Sequence, residues 1–212
     1  MLRRPRAFIG KPSLRPRPSW RATAWPKAVC RILAGLLLCA APAAGAQVVE
    51  GAYDIWLLVD TSEHVLEVYF DDIPVLRFDD IRIGSRGAAP VRREGDKTTP
   101  LGQFRITHIN RNSRFHIFMG LDYPTRAHID KALELGYIDA DTHAQLLQRS
   151  AGAARPPQNT PLGGHIGIHG LGQGDPEIHA EYDWTQGCIA LTNHQIERLT
   201  NYVRVGTRVL IR

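Results

Sequence analysis

Two residues stand where a nucleophile and its base would stand. Cys188 follows Gly187 at the end of the polar loop Asp183-Trp184-Thr185-Gln186-Gly187, and His169 precedes Gly170 at the end of the alternating run His165-Ile166-Gly167-Ile168-His169. A thiol with its ordinary pKa of about 8.5 is mostly protonated at neutral pH, so it needs a neighbour that favours thiolate. An imidazole is the usual one. Of the two histidines, His169 is the better base, because it ends the expected strand with a glycine behind it, where the backbone can turn to present the ring. The ring is expected to be the main influence on the thiol. Gly187 leaves the backbone beside the sulfur bare, so the N–H groups of Gly187 and Cys188 are candidate oxyanion donors.

The cysteine count supports a chemical role. The chain holds three cysteines, Cys30, Cys39 and Cys188. The first two fall in a leader that reads as a secretory signal peptide over residues 1–46: a basic region to Arg31, an apolar core from Ile32 to about Ala41, and Ala44-Gly45-Ala46 as a small-residue cleavage site. An exported mature chain keeps Cys188 alone, unable to form an internal disulfide in an oxidising compartment. Charge agrees with this division. Of 26 Lys and Arg residues against 21 Asp and Glu, nine basic and no acidic residues lie in 1–46, so the remainder is net acidic. The basic footprint of a nucleic-acid binder disappears with the leader.

The elements that must carry the pair read as mainly β. Asp54 to Asp60, Val65 to Phe70, Ile73 to Phe78 and Ile81 to Ile83 are short period-2 runs divided by Thr61-Ser62-Glu63 and Asp71-Asp72, an antiparallel meander. Pro74 places its strand at an edge or at a strand start. Ser85 to Thr99 reads as loop, and strands resume at Phe104 to Ile109 and Phe115 to Met119. A helical hairpin follows. Ile129, Ala132 and Leu133 recur at helical spacing up to Gly136, and Asp139 or Asp141 caps a second helix through Leu146-Leu147. This excursion is either a packed insert or a wall or lid of the groove. Asn193 is a candidate N-cap for a helix with Ile196, Leu199, Tyr202 and Val203 on one face, before a last strand from Arg208 to Ile211.

The ordered motifs resemble the L,D-transpeptidase catalytic domain (YkuD) family. The match lies in His169-Gly170, Thr185-Gln186-Gly187-Cys188-Ile189, the upstream Gly95-Asp96 with Thr99-Pro100-Leu101-Gly102-Gln103-Phe104, and Val205-Gly206-Thr207-Arg208-Val209. The resemblance implies a β-sandwich catalytic domain over 53–211 with a groove. It implies Cys188 as acyl-accepting nucleophile, His169 as proton acceptor and donor, the Gly170 carbonyl as the group orienting the ring, and no cofactor. Substrates would be peptidoglycan stem peptides, and a wall-attached protein is a further candidate partner. A periplasmic or otherwise extracytoplasmic monomer is expected. Thr185 stands where the family often has Ser, and Thr185 and His165 are candidate substrate-binding residues. A strand histidine held by hydrogen bonds is the competing reading for His165.

One departure bears on direction. The family's usual Arg after Gly-Cys-Ile is Ala190 here, which removes a cation suited to a substrate carboxylate. The variant is similar to a branch that includes hydrolytic members detaching wall-bound protein. It tilts expectation toward hydrolysis or exchange, with transpeptidation close behind; Ala190 as a mere packing substitution leaves transfer intact. Two rivals use other chemistry. A zinc hydrolase would gather His165, His169, His179, Asp183 and Cys188. A non-catalytic wall-binding domain would have no need of the free thiol.

Overall fold

The computed structural model describes residues 54–153 and 155–212. The expected leader and its cysteines lie outside the described residues. Strands β1 (Ile55–Asp60), β2 (Val65–Phe70) and β3 (Ile73–Phe78) form the expected antiparallel meander. Two-residue strands β4 (Ala88–Ala89) and β5 (Thr99–Pro100) pair with each other inside the stretch read as loop. The long β6 (Gly102–Ser113) turns back into β7 (His116–Leu121). After helices α1 (Arg126–Glu134) and α2 (Ala140–Ser150) come β8 (Gly167–His169), α3 (Pro176–Glu181), β9 (Ile189–Ala190), α4 (Asn193–Leu199) and β10 (Arg208–Ile211). Among the described residues no helix is long and apolar enough to cross a membrane.

Eight strands make one mixed sheet in the order β3-β2-β1-β10-β6-β7-β8-β9. Register explains the alternating sequence. Val68, Leu57, Val209 and Phe104 lie opposite one another across β2, β1, β10 and β6, and all are sealed from solvent. The adjacent row, Tyr69, Trp56, Arg208 and Arg105, falls on the other face, as a period of two requires. β6 is long enough to serve both halves: Gly102 to Arg105 pair with β10, and Ile106 to Ser113 with β7. Leu57 and Val68 from one half share a core with Ile117, Met119, Ile168 and Ile189 from the other. The sheet thus curls around one apolar interior, the expected mainly-β architecture with few helices. β3 is an edge strand, which suits Pro74 because a proline has no N–H to give a second neighbour.

Three local expectations change. Ile81 to Ile83 is no full strand but a bridge, in which Arg82 N–H donates to the Ala190 carbonyl at 2.9 Å and Ala190 N–H to the Arg82 carbonyl at 2.7 Å. Thr192, not Asn193, caps α4: its hydroxyl accepts from Gln195 N–H, while the Gln195 side chain accepts from Thr192 N–H, a reciprocal box. Asn193 is free to fasten the loop after His169, accepting from Gly172 N–H and donating to Gly172 O, both at 2.8 Å. That helix also ends at Leu199, so Tyr202 and Val203 lie beyond it.

The helical hairpin is present. Asp139 caps α2 by accepting from Thr142 N–H at 2.8 Å, and Gly136 takes the positive φ of 68° that ends the first helix. Ile129, Ala132 and Leu146 bury its inner side in the core.

Candidate active site

The parallel pairing of β8 with β9 brings the two motifs together. Ile168 lies opposite Ile189 and His169 opposite Ala190, so Cys188, one residue before β9, is level with Gly167. Side chains two apart on a strand share a face. His169 is therefore the diagonal neighbour of Cys188 on one face. Both border a groove of about 690 Å³ whose walls include Arg92, Phe118, His165 and Trp184.

The His169 ring is fixed on every side. Its plane stacks on Phe115 with centroids 4.2 Å apart, and Phe118 and Trp184 lie 6.2 and 5.9 Å away. Nδ1 is 2.7 Å from the Gly170 carbonyl. A carbonyl only accepts, so Nδ1 carries the proton and Nε2 keeps the lone pair. Gly170 is needed for this approach, because a Cβ there would fall 2.8 Å from Asn193 Oδ1 and from the Phe115 carbonyl. At 2 % exposure, burial pulls the His169 pKa down to about 4, with His179 and Arg114 adding to the fall and the Gly170 carbonyl opposing it.

Cys188 differs from the sequence-based expectation. Burial, not the imidazole, is its largest influence, and it pushes the thiol up to about 11 against the opposing Gly167 N–H and Arg92 charge. The residue is only half-buried, its open side being the groove, and water there eases the push. Sγ donates to the His165 carbonyl at 3.4 Å, and among the described residues no hydrogen bond joins it to the His169 ring. Burial thus disfavours the charged form of both groups, the thiolate as well as the imidazolium.

His165 is not on the strand. It sits at φ 55°, exposed, and β8 begins only at Gly167, so it does not share a strand face with His169. Its backbone makes the contacts instead: N–H donates to Gln158 Oε1 at 2.7 Å and the carbonyl receives the thiol. Thr185 is 3 % exposed, with its hydroxyl spent inside the turn, donating to the Cys188 carbonyl at 2.7 Å and accepting from Gly187 N–H at 3.0 Å. The Thr185 hydroxyl and the Gly187 N–H are thus bonded to each other within the turn, which leaves Cys188 N–H as the candidate oxyanion donor of that pair. Thr185→Val should cost about 1–3 kcal/mol in denaturant unfolding, because two backbone groups lose their partner in a dry turn.

The other histidines disperse. His179 accepts from Trp184 Nε1 at 3.3 Å, and Asp183 pairs with His64 at 3.0 Å. Among the described residues no three His, Cys, Asp or Glu side chains gather as a metal ligand set. The helical excursion contributes no residue to the groove; the segment after it does, through Gln158, Gly163 and Gly164. The aromatic clamp of Phe115, Phe118 and Trp184, and Arg92, were not legible as site residues: Trp184 and Arg92 adjoin the motifs in sequence, whereas Phe115 and Phe118 read only as part of a strand.

Burial sets an expected pH dependence. Burial lowers the pKa values of His108, His128, His169 and His179. For His169, the unfolded chain takes up a proton between its ordinary 6.5 and about 4 that the folded chain refuses. Stability is thus fully present above that window and is lost as pH falls through it. Cys188 acts on the alkaline side: the unfolded thiol ionises near its ordinary value while the folded one waits until about 11, so stability falls as pH rises there. Urea unfolding against pH should show both limbs. His169→Gln should flatten the acid limb by up to about 1.4 kcal/mol per pH unit.

Comparison with known proteins adds the family. Residues 54–211 match YkuD, the L,D-transpeptidase catalytic domain. No curated protein matches. Similar solved structures include the helical cell shape determining protein Pgp2 from Campylobacter jejuni, at 19% identity over 75% of this chain and 47% of that chain with a TM-score of 0.49. Bd1075 from Bdellovibrio bacteriovorus follows at 17% identity over 76% and 49%, with a TM-score of 0.46. An L,D-transpeptidase from Enterococcus faecium matches at 17% identity over 75% and 50%, with a TM-score of 0.40. The chain spans about half the length of these structures.

Proposed function

Because the chain belongs to the L,D-transpeptidase catalytic domain family, we propose that it is an exported cysteine acyltransferase acting on peptidoglycan stem peptides. Cys188 Sγ attacks an amide carbonyl while its proton passes to His169 Nε2. The oxygen of the tetrahedral intermediate takes the Cys188 N–H. The C–N bond breaks, His169 returns its proton to the leaving amine, and the acyl group remains on sulfur as a thioester. An acceptor amine then attacks the thioester, His169 takes the amine's proton, and the collapsing intermediate releases sulfur, which recovers the proton from the imidazole. The observation that carries this reading is the fixed tautomer of His169 in the groove that holds the half-buried Cys188 thiol.

Hydrolysis uses the same machinery with water as acceptor. The sequence argument for it was the absent cation at Ala190. That position is wholly buried in the bridge to Arg82, and a cation reaches the groove from another segment, at Arg92. This supports Ala190 as a packing residue and puts transfer first. Incubating the exported protein with tetrapeptide stem fragments and excess D-amino acid should give exchanged or dimeric product, read by mass spectrometry. Free tripeptide acid as the main product would make it a hydrolase, release of a wall-attached protein would identify that substrate, and untouched peptides would reject both.

A further inference from the structure

Arg92 lies under the turn that presents the thiol, and it is 5 % exposed. A buried guanidinium is expensive unless it is paired and hydrogen-bonded. This one is only partly satisfied. Nη1 donates to the Gln186 carbonyl at 2.9 Å, but Nε is buried with no hydrogen-bond partner among the described residues. Its nearest carboxylate, Asp96, is 3.7 Å away, beyond hydrogen-bonding reach. That carboxylate is already engaged, accepting from Arg93 N–H at 2.6 Å and from the N–H and hydroxyl of Thr98, both at 3.0 Å. The charge thus has a counter-ion at ion-pair distance, while the Nε proton has no acceptor among the described residues.

Neighbouring backbone is shaped around the guanidinium. Gly187 has φ 121°, and a Cβ there would collide with Arg92 Nη1 and the Thr98 carbonyl. Gly163 brings the opposite wall close, its would-be Cβ 3.5 Å from Nη2. The Gly95-Asp96 segment, far from Cys188 in sequence, thereby acquires a purpose at the site: Asp96 folds the loop that delivers Arg92.

We propose that Arg92 is a positioning residue of the thiol site, fixing the Gln186–Gly187 turn from beneath and supplying a permanent positive charge to the sulfur as it becomes negative. This deepens the acyl-transfer reading and rests on it for the reaction served. The Arg92 charge also opposes the rise that burial imposes on the Cys188 thiol.

The test uses iodoacetamide, a neutral probe, on the full chain, with labelling at Cys188 followed by peptide mass mapping between about pH 7 and about pH 9, where the rate tracks the thiolate fraction. Arg92→Gln should label about tenfold more slowly at every pH, equivalent to one pK unit, and Arg92→Lys within about threefold of wild type. Asp96→Asn keeps an oxygen to accept from the Thr98 N–H and hydroxyl, and so the loop, while removing the counter-charge 3.7 Å from Nε; it should label faster than wild type. Near-UV circular dichroism and melting establish which variants fold. If Arg92→Gln does not, Arg92→Lys and Asp96→Asn carry the comparison. A purely structural role would slow Arg92→Lys as much as Arg92→Gln. That result, an Arg92→Gln rate equal to wild type, or an Asp96→Asn rate no faster than wild type would overturn the proposal. Labelling needs no stem peptide, so a protein that turns over no peptide would reject acyl transfer and leave this comparison standing.

Discussion

Replacing Cys188 by Ala is expected to reduce turnover of stem peptides by at least about a thousandfold while leaving the fold intact, since the proposed covalent step forms on its sulfur. The thiol's contacts are a weak 3.4 Å bond to the His165 carbonyl and the Gly167 N–H, so little stability depends on Sγ. Cys188→Ser should be nearly as inactive. A hydroxyl is far less acidic than a thiol, and the same burial that raises the Cys188 pKa would hold the serine proton more firmly still. Melting temperature read beside the rate separates chemistry from folding. Residual activity above a few per cent in Cys188→Ala would mean that the groove works without a covalent step.

His169→Gln should lower kcat by about 10²–10⁴-fold, the range a positioned general acid–base supplies. The pH profile is the sharper readout. Because burial disfavours the charged form of both partners, kcat/KM should be level through neutral pH and fall only as His169 is protonated, near its lowered value of about 4. A pre-formed thiolate–imidazolium pair would behave differently, losing activity on the alkaline side as the imidazolium lost its proton. His165→Ala should change kcat little, because the structure uses that residue's backbone rather than its ring. If the two histidines exchanged importance, the assignment of the base would be wrong.

What the sequence disclosed was local chemistry. A cysteine after glycine, a histidine before glycine and period-2 apolar runs each state their own case, and the meander β1–β3, the edge position of Pro74 and the helical hairpin are all present. Partner choice was hidden, because alternation tells which face a side chain takes but not which strand lies beside it. The parallel pairs β1–β10 and β8–β9, the second of which assembles the site, could not be read that way. His165 was misplaced because the left-handed backbone that ends its strand leaves no mark in residue type. Thr185 looked available to substrate because a hydroxyl in a loop does not reveal that the loop folds back upon it. Arg92 sat beside a recognised segment and was passed over, since a basic residue in a polar stretch ordinarily faces water.

Covalent attachment at Cys188 is the claim on which the rest depends. Intact-mass spectrometry of the protein, quenched in acid within the first turnovers of a stem-peptide substrate, tests it directly. The account predicts a species heavier by the acyl fragment, mapped to Cys188, lost on adding an acceptor amine and absent in Cys188→Ala. Product formation at full rate without any such species, with Cys188→Ala equally active, would contradict it.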